Sequence, residues 1–284
     1  MKHPWFENRI AVVATMHQKE KAIAPILEKN LGVNVIVPDN FNTDAFGTFT
    51  RDIKRLGTQV ETARIKAQKA LELTGEQIAI ASEGSFFPHP AIPYLACDRE
   101  LILLIDQENS LEIIAQEIST ETNFNSQSVT TLEEALTFAD KVNFPQHGLV
   151  AMPTQDTKDA QTIVKGITSE KHLIEVVENY LKKQGNVHLE TDMRAMYNPT
   201  RMQVISKATQ KLVEKLNSLC PQCQWPGFDV VEQKKGLLCS LCYLPTALIK
   251  ANIYSCQKCD FKKEVLYPNG LDFADPVHCT YCNP

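Results

Sequence analysis

Eight of the nine cysteines fall in four Cys-x-x-Cys pairs, Cys220/Cys223, Cys239/Cys242, Cys256/Cys259 and Cys279/Cys282, all in the last quarter of the chain. A two-residue spacer lets two thiolates on one tight turn reach the same ion, and two such turns complete a tetrahedron around zinc. A single pair is also the redox motif, but four together specify a module with two zinc ions. Disulfides are the other use of paired cysteines. The N-terminal Met1-Lys2-His3-Pro4-Trp5 lacks the apolar core of a secretory signal, so the expected compartment is the reducing cytoplasm. Four thiolates per ion leave no coordination position for a substrate, which makes both zincs structural.

Fifteen residues separate Cys223 from Cys239, nineteen separate Cys259 from Cys279, and thirteen separate Cys242 from Cys256. The first two gaps fall in the usual zinc-ribbon window, so the spacing predicts sequential sharing. Cys220, Cys223, Cys239 and Cys242 then hold one ion, and Cys256, Cys259, Cys279 and Cys282 the other. Interleaved sharing closes loops about twice as long at only about 0.6 kcal/mol more per loop, so chain entropy leaves it open. The segment has little aliphatic content of its own, and metal must supply much of its folding free energy.

The whole chain has 284 residues, 43% of them hydrophobic and 22% charged, with a net charge of −5. That is ordinary globular composition. It predicts an α/β domain over residues 1–218, a mixed sheet with helices packed on it, followed by a small double zinc-ribbon domain over 219–284. The longest aliphatic run, Leu101-Ile102-Leu103-Leu104-Ile105, is too short to span a membrane. Residues 220–284 carry six Lys against six Asp/Glu, which argues against nucleic acid as the main partner and leaves a protein partner open for the zinc module.

Ile10-Ala11-Val12-Val13-Ala14 reads as a buried strand, followed by a helix that stops at Gly32 and whose regular part Pro25 delays to about Ala24. A second strand covers residues 33–37. Thr58-Gln59-Val60-Glu61 is a capping box for a helix ending at Thr74-Gly75, and Ile78-Ala79-Ile80-Ala81 is the next buried strand. Residues 100–118 suggest a hairpin turning near Glu108-Asn109, with a helical second half as the alternative. Thr131 caps a helix that ends before Phe144-Pro145, Leu149-Val150-Ala151-Met152 is a strand, and residues 169–183 form an amphipathic helix closed by Gly185. After a short extended stretch at 187–191, Asn198-Pro199 opens the last helix.

Polar clusters at strand ends are where α/β proteins place sites. Four occur here, at residues 15–19, 43–55, 82–89 and 188–201. Glu83 emerges from an apolar strand beside Gly84, suited to hold Mg²⁺ or activate water, or else to cap the following turn. Ser85 and His89 share that cluster, His89 between two prolines. His188, Glu190, Asp192 and Arg194 alternate and would share one strand face, as a second acidic pair or as a salt-bridged surface. Arg194 and Arg201 bracket a helix start at Asn198 whose backbone N–H groups suit an anion, although Asn198 also fits a capping role. Lys19 and Lys66 add positive charge, and His17 a polar group.

The strings Gly47-Thr48-Phe49-Thr50, Ala81-Ser82-Glu83-Gly84-Ser85-Phe86, Glu190-Thr191-Asp192-Met193-Arg194-Ala195 and Asn198-Pro199-Thr200-Arg201-Met202, with the closing Cys-x-x-Cys-Asn-Pro, resemble an uncharacterised bacterial family known only as a domain of unknown function. Residues 9–219 are also similar in order to inosine-triphosphate-type nucleotide pyrophosphatases. That second resemblance rests on Ala14-Thr15, Glu61-Thr62-Ala63 with Lys66-Ala67, the acidic Gly-Ser strand end, and Ile205-Ser206-Lys207-Ala208. His17 stands where those enzymes have Asn, Glu83 replaces their acidic pair, and their late Ser-His-Arg is only partly matched. What it implies is Mg²⁺-assisted hydrolysis of a nucleotide or other phosphorylated small molecule. Glu83, with Glu190 or Asp192, would serve metal or water, and Lys19, Lys66, Arg194 and Arg201 would neutralise phosphate. The alternative is a non-enzymatic adaptor whose zinc module binds a protein and whose larger domain senses a ligand.

Overall fold

A computed structural model describes residues 3–39, 41–47, 57–89 and 91–284. Thr48-Phe49-Thr50 of the first family string and most of the 43–55 cluster fall outside these residues. The chain divides into two compact units, Met1–Val213 and Glu214–Pro284, with the division inside the last helix.

The first unit begins with a parallel arrangement. β1 (Ile10–Ala14) lies between β2 (Asn34–Ile36) and β3 (Ile78–His89), parallel to both. α1 (Glu20–Leu31) links β1 to β2, and α2 (Gln59–Thr74) lies between β2 and β3 in the chain. The helices are capped as their sequences require. Gly32 and Gly75 end them in the left-handed conformation, and Thr58 and Glu61 form the reciprocal capping box. α1 starts at Glu20, well before Ala24, and carries Pro25 inside it, because burial of Ile23, Leu27 and Leu31 outweighs the one backbone bond that proline removes.

β3 continues far beyond Ala81 and pairs antiparallel with β4 (Ile92–Asp106), which turns through residues 107–110 into β5 (Leu111–Ser119). The sheet order is therefore β2-β1-β3-β4-β5. Alternation decides what each face receives. Val12, Ala14, Ala79, Ala81, Leu101 and Leu103 pack with Ala63, Ala67, Ala70 and Leu71 of α2. Residues of even number in β3 face the other way.

A second, antiparallel sheet has the order β6-β9-β7-β8, with β6 at Ser126–Val129, β7 at Leu149–Met152, β8 at Val164–Ile167 and β9 at Val187–Thr191. α3 (Leu132–Lys141) and α4 (Glu170–Gln184) cover it through Phe138, Leu173 and Val177. β6 and β8 were not legible in the sequence, being short, polar or Gly-containing. α5 (Pro199–Asn217) ends the unit, its first turn capped by Asn198, whose Oδ1 accepts from the Arg201 N–H at 2.9 Å. Among the described residues no helix is long and apolar enough to cross a membrane.

The second unit is built on a three-stranded antiparallel meander of β10 (Asp229–Lys235), β11 (Ile249–Ser255) and β12 (Lys262–Leu266). Its buried apolar side chains are few, among them Trp225, Phe228, Leu237 and Ile253.

Candidate functional site

The four Cys-x-x-Cys pairs sit on similar turns. Gln224, Tyr243 and Asp260, each directly after a second cysteine, have φ of 60°, 61° and 57°, and their N–H groups bond back to the carbonyls of Cys220, Cys239 and Cys256. The turn directs backbone N–H groups at sulfur, as Leu241 does to Cys239 at 3.4 Å and Lys258 to Cys256 at 3.3 Å. Backbone N–H groups of Cys282 and Tyr281 likewise pull the Cys279 thiol down to about 7.

The sharing is interleaved. Cys220, Cys223, Cys256 and Cys259 form one group and Cys239, Cys242, Cys279 and Cys282 the other, with the ligand atoms of each within 4.8 Å of one another. This overturns the sequential expectation, and the meander is the reason. Asp229 pairs with Ser255 at one end of β10–β11 and Lys235 with Ile249 at the other. Turns on successive connections therefore fall at alternate ends, separated by strands about 20 Å long, so neighbouring pairs in sequence cannot share an ion. The donor set fits a metal. Sulfur separations of 3.7 Å (Cys220–Cys259), 3.6 Å (Cys223–Cys256), 3.9 Å (Cys239–Cys282) and 3.5 Å (Cys242–Cys279) span the groups. Four thiolates about 2.3 Å from one tetrahedral ion lie about 3.8 Å apart.

The first unit buries six ionisable groups around the middle of β3. Lys66 of α2 pairs with Glu83, and Gln59 Nε2 donates to the Glu83 and Arg99 carbonyls at 3.1 Å each. These groups lie on the α2 face. On the opposite face, Arg201 Nε donates to Glu100 Oε1 at 2.6 Å, with both side chains fully buried, and its Nη1 donates to the Met193 carbonyl. The Phe86 ring lies 5.5 Å from the guanidinium carbon. Asp98 stands two residues before Glu100 on the same face of β4. Burial, and next the charge of Glu100, push its carboxyl up to about 8, so it is protonated at neutral pH.

Lys19 comes to β3 from the turn after β1. Its Nζ donates to Ser82 Oγ at 2.9 Å and to the Ser82 carbonyl at 3.0 Å. Burial, and next the charge of Arg201, bring it down to about 7. His17 is buried in the same turn, with its N–H on Thr15 Oγ1.

Glu83 and Arg201 do not share one cleft, because adjacent residues of β3 point to opposite faces, Glu83 to Lys66 of α2 and Gly84 to Arg201 and Glu100. Asp192 and Arg194 instead make a bidentate pair, Arg194 Nε to Oδ1 at 3.0 Å and Nη2 to Oδ2 at 2.7 Å, with the Gly166 N–H on Oδ2 at 3.1 Å. Both lie beyond the end of β9, so only His188 and Glu190 share the strand face. His188 Nδ1 meets Ser128 Oγ at 2.9 Å, and its Nε2 lies 3.3 Å from Glu190. Asn198 is a cap, as one of its two readings held. Ser85 and His89 are half-buried further along β3, and the His89 ring accepts the Ala91 N–H at 3.2 Å.

Asp98, Glu100 and Gln59 were missed. The available signal was Asp98 and Glu100 at alternate positions leading into the aliphatic run of β4, which places both acids on the face that the run buries.

A family model described as a domain of unknown function (DUF6671) matches residues 66–284. No curated protein matches the sequence. The resemblance to nucleotide pyrophosphatases finds no support in either result, and Glu83, its one surviving acidic position, is ion-paired with Lys66.

Proposed function

The chain belongs to the DUF6671 family, and because that membership carries no activity, we propose from its own geometry that it is a hydrolase of a phosphorylated small molecule with a structural zinc module. The observation that carries the reading is the position of Lys19 and Ser82. The first connection leads from β1 to β2 and the next crosses back to β3, so the order β2-β1-β3 reverses between β1 and β3. Ligands of open α/β sheets bind at the carboxyl ends of strands at such a reversal. Lys19 follows β1, and Ser82 follows Ala81, the last residue of β3 paired with β1.

Lys19 presents N–H donors beside Ser82 whether or not it carries its proton, which suits a substrate with phosphate oxygens. The Mg²⁺ considered for Glu83 has no support in the geometry, since Lys66 occupies that carboxylate. The test is a panel of nucleotides, sugar phosphates and pyrophosphate, scored by phosphate release and by thermal shift. Release or a raised Tm with one class supports the reading, and neither response across the panel removes it.

Zinc is the proposed metal of both four-cysteine groups, since four thiolates in a tetrahedron suit it and leave no open position. Free thiolate sites of this kind imply a reducing compartment, hence the cytoplasm.

A second reading, a protein contact through this module, is favoured by the exposed Leu241, Tyr243, Phe273, Val277 and Tyr281 around the second metal group. Residues 236–248 and 267–284 contain no Lys or Arg and two Asp, which suits a protein surface better than a phosphate backbone. Replacing Tyr243 and Tyr281 with Ser should abolish any co-purifying partner while leaving hydrolysis unchanged. Retained binding would remove this reading.

A further inference from the structure

Three cations are buried around β3, and two have a carboxylate. Lys66 has Glu83 and Arg201 has Glu100, while among the described residues the hydrogen bonds of Lys19 go to Ser82. A buried ammonium held by two neutral oxygens is a costly arrangement, which an ion pair or an apolar side chain would avoid. It becomes useful if the amine is neutral. Lys19 Nζ then accepts the Ser82 hydroxyl proton across the same 2.9 Å contact. We propose that Ser82 is a nucleophile and Lys19 its general base, a serine–lysine pair just past the carboxyl end of β1, where β3 runs on beyond it, that forms a covalent adduct with phosphorus electrophiles.

The surroundings fit that role. The charged groups acting on Lys19 are Arg201 and Lys66, which disfavour its protonation, and Glu100 and Glu83, which favour it. Burial outweighs them all, and the two acids are held by their own ion pairs. Ser82 is fixed by its place in β3, opposite Ile102 of β4, and is 4% exposed, while Lys19 is 7% exposed. The lysine is therefore dry enough to lose its proton around pH 7 and is already in contact with the hydroxyl it would activate.

Ser82 Oγ attacks phosphorus, its proton passes to Lys19 Nζ, and the bond from phosphorus to the leaving group breaks. The leaving group departs with the bonding electron pair and takes the proton from Lys19, or, where it is a weak base, Lys19 gives the proton to solvent, so that the amine is neutral again. Water then gives a proton to Lys19 Nζ as its oxygen attacks phosphorus, and Lys19 hands that proton to Ser82 Oγ as the bond from Ser82 to phosphorus breaks. This step rests on the hydrolase reading for its natural substrate, but not for its detection.

The test uses diisopropyl fluorophosphate on the full-length protein, with fluoride as the leaving group. One diisopropylphosphoryl adduct is expected on the peptide containing Ser82, forming at a rate that rises with pH through about 7. Ser82→Ala should abolish it. Lys19→Met and Lys19→Arg should each slow it by about a hundredfold or more, arginine being unable to act as a base. No adduct, an adduct at another residue, a rate in Lys19→Arg equal to the unsubstituted protein's, or a flat pH profile would each overturn the proposal. The pH profile needs no variant, so a substitution that unfolds the protein does not spare it. An adduct without turnover of any phosphorylated compound keeps the pair and discards the substrate class. Turnover without an adduct does the reverse.

Discussion

Glu83 and Arg201 stand on opposite faces of one sheet, separated by the thickness of β3, and Gly84 is what admits Arg201 to its face. A Cβ on Gly84 would lie 2.5 Å from Arg201 Nη2 and also collide with Glu100 Oε1. Its φ lies outside the left-handed region, so the need for glycine here is one of space. Because both partners are fully buried, neither can swing aside into solvent. Gly84→Ala should therefore destabilise the protein by roughly 1–3 kcal/mol, as overpacking does. Urea unfolding at pH 7 checks it, and an unchanged midpoint would show that the ion pair yields freely.

Breaking that pair from one side should cost more. Glu100→Leu leaves the Arg201 guanidinium buried without its carboxylate, a change of about 3–5 kcal/mol in such sites. Adding Arg201→Met should recover most of the loss, because the charge and its partner then leave together. A double variant as unstable as the single one would mean that packing, and not charge, sets the cost.

The combined contribution of Asp98 and Lys19 to stability should be least between about pH 7 and 8. Asp98 is raised in the folded protein, to about 8 from an ordinary value of about 3.9, so its contribution is complete below about pH 4 and is lost as pH rises through 8. Lys19 is lowered, to about 7 from about 10.4, so its contribution is complete above about pH 10.4 and is lost as pH falls through 7. Asp98→Asn should flatten the acidic arm and Lys19→Met the alkaline arm in urea unfolding measured across pH. A pH dependence unchanged by either substitution would contradict both assignments.

Local signals in the sequence were reliable where the physics is local. The Thr58–Glu61 capping box, the Gly75 and Gly185 caps and the β4–β5 hairpin follow from neighbours a few residues apart. Which face a strand residue takes is just as local, and by it Glu83 and Gly84 point to opposite faces of β3, which separates Glu83 from Arg201. The alternation of Asp98 and Glu100 marks one shared face, but the pairing of Glu100 with Arg201, about a hundred residues away, is not visible in that spacing. The cysteine ligands were legible at once. Their partition was not, because strand pairing fixes it and loop entropy is nearly indifferent.

The second unit should depend on its metal while the first does not. α5 carries the buried Val204, Ile205, Ala208 and Leu212 within the first unit, whereas the second has little apolar core. A chain ending at Leu219 should keep the far-UV spectrum of the first unit and unfold cooperatively. Chelation of the full chain should remove only the signal of the second unit. Aggregation of the shortened chain would show that the first unit cannot fold alone.

The metal partition can be counted directly. Full-length protein should hold two zinc ions, and Cys223→Ser or Cys242→Ser should each leave one. The double variant decides the pairing, since interleaved sharing puts Cys223 and Cys242 on different ions and sequential sharing puts them on the same one. Interleaving predicts that Cys223→Ser with Cys242→Ser binds no zinc, and that Cys223→Ser with Cys256→Ser still binds one. The reverse pattern in metal analysis would mean that the β10–β11–β12 meander does not order the turns at alternate ends.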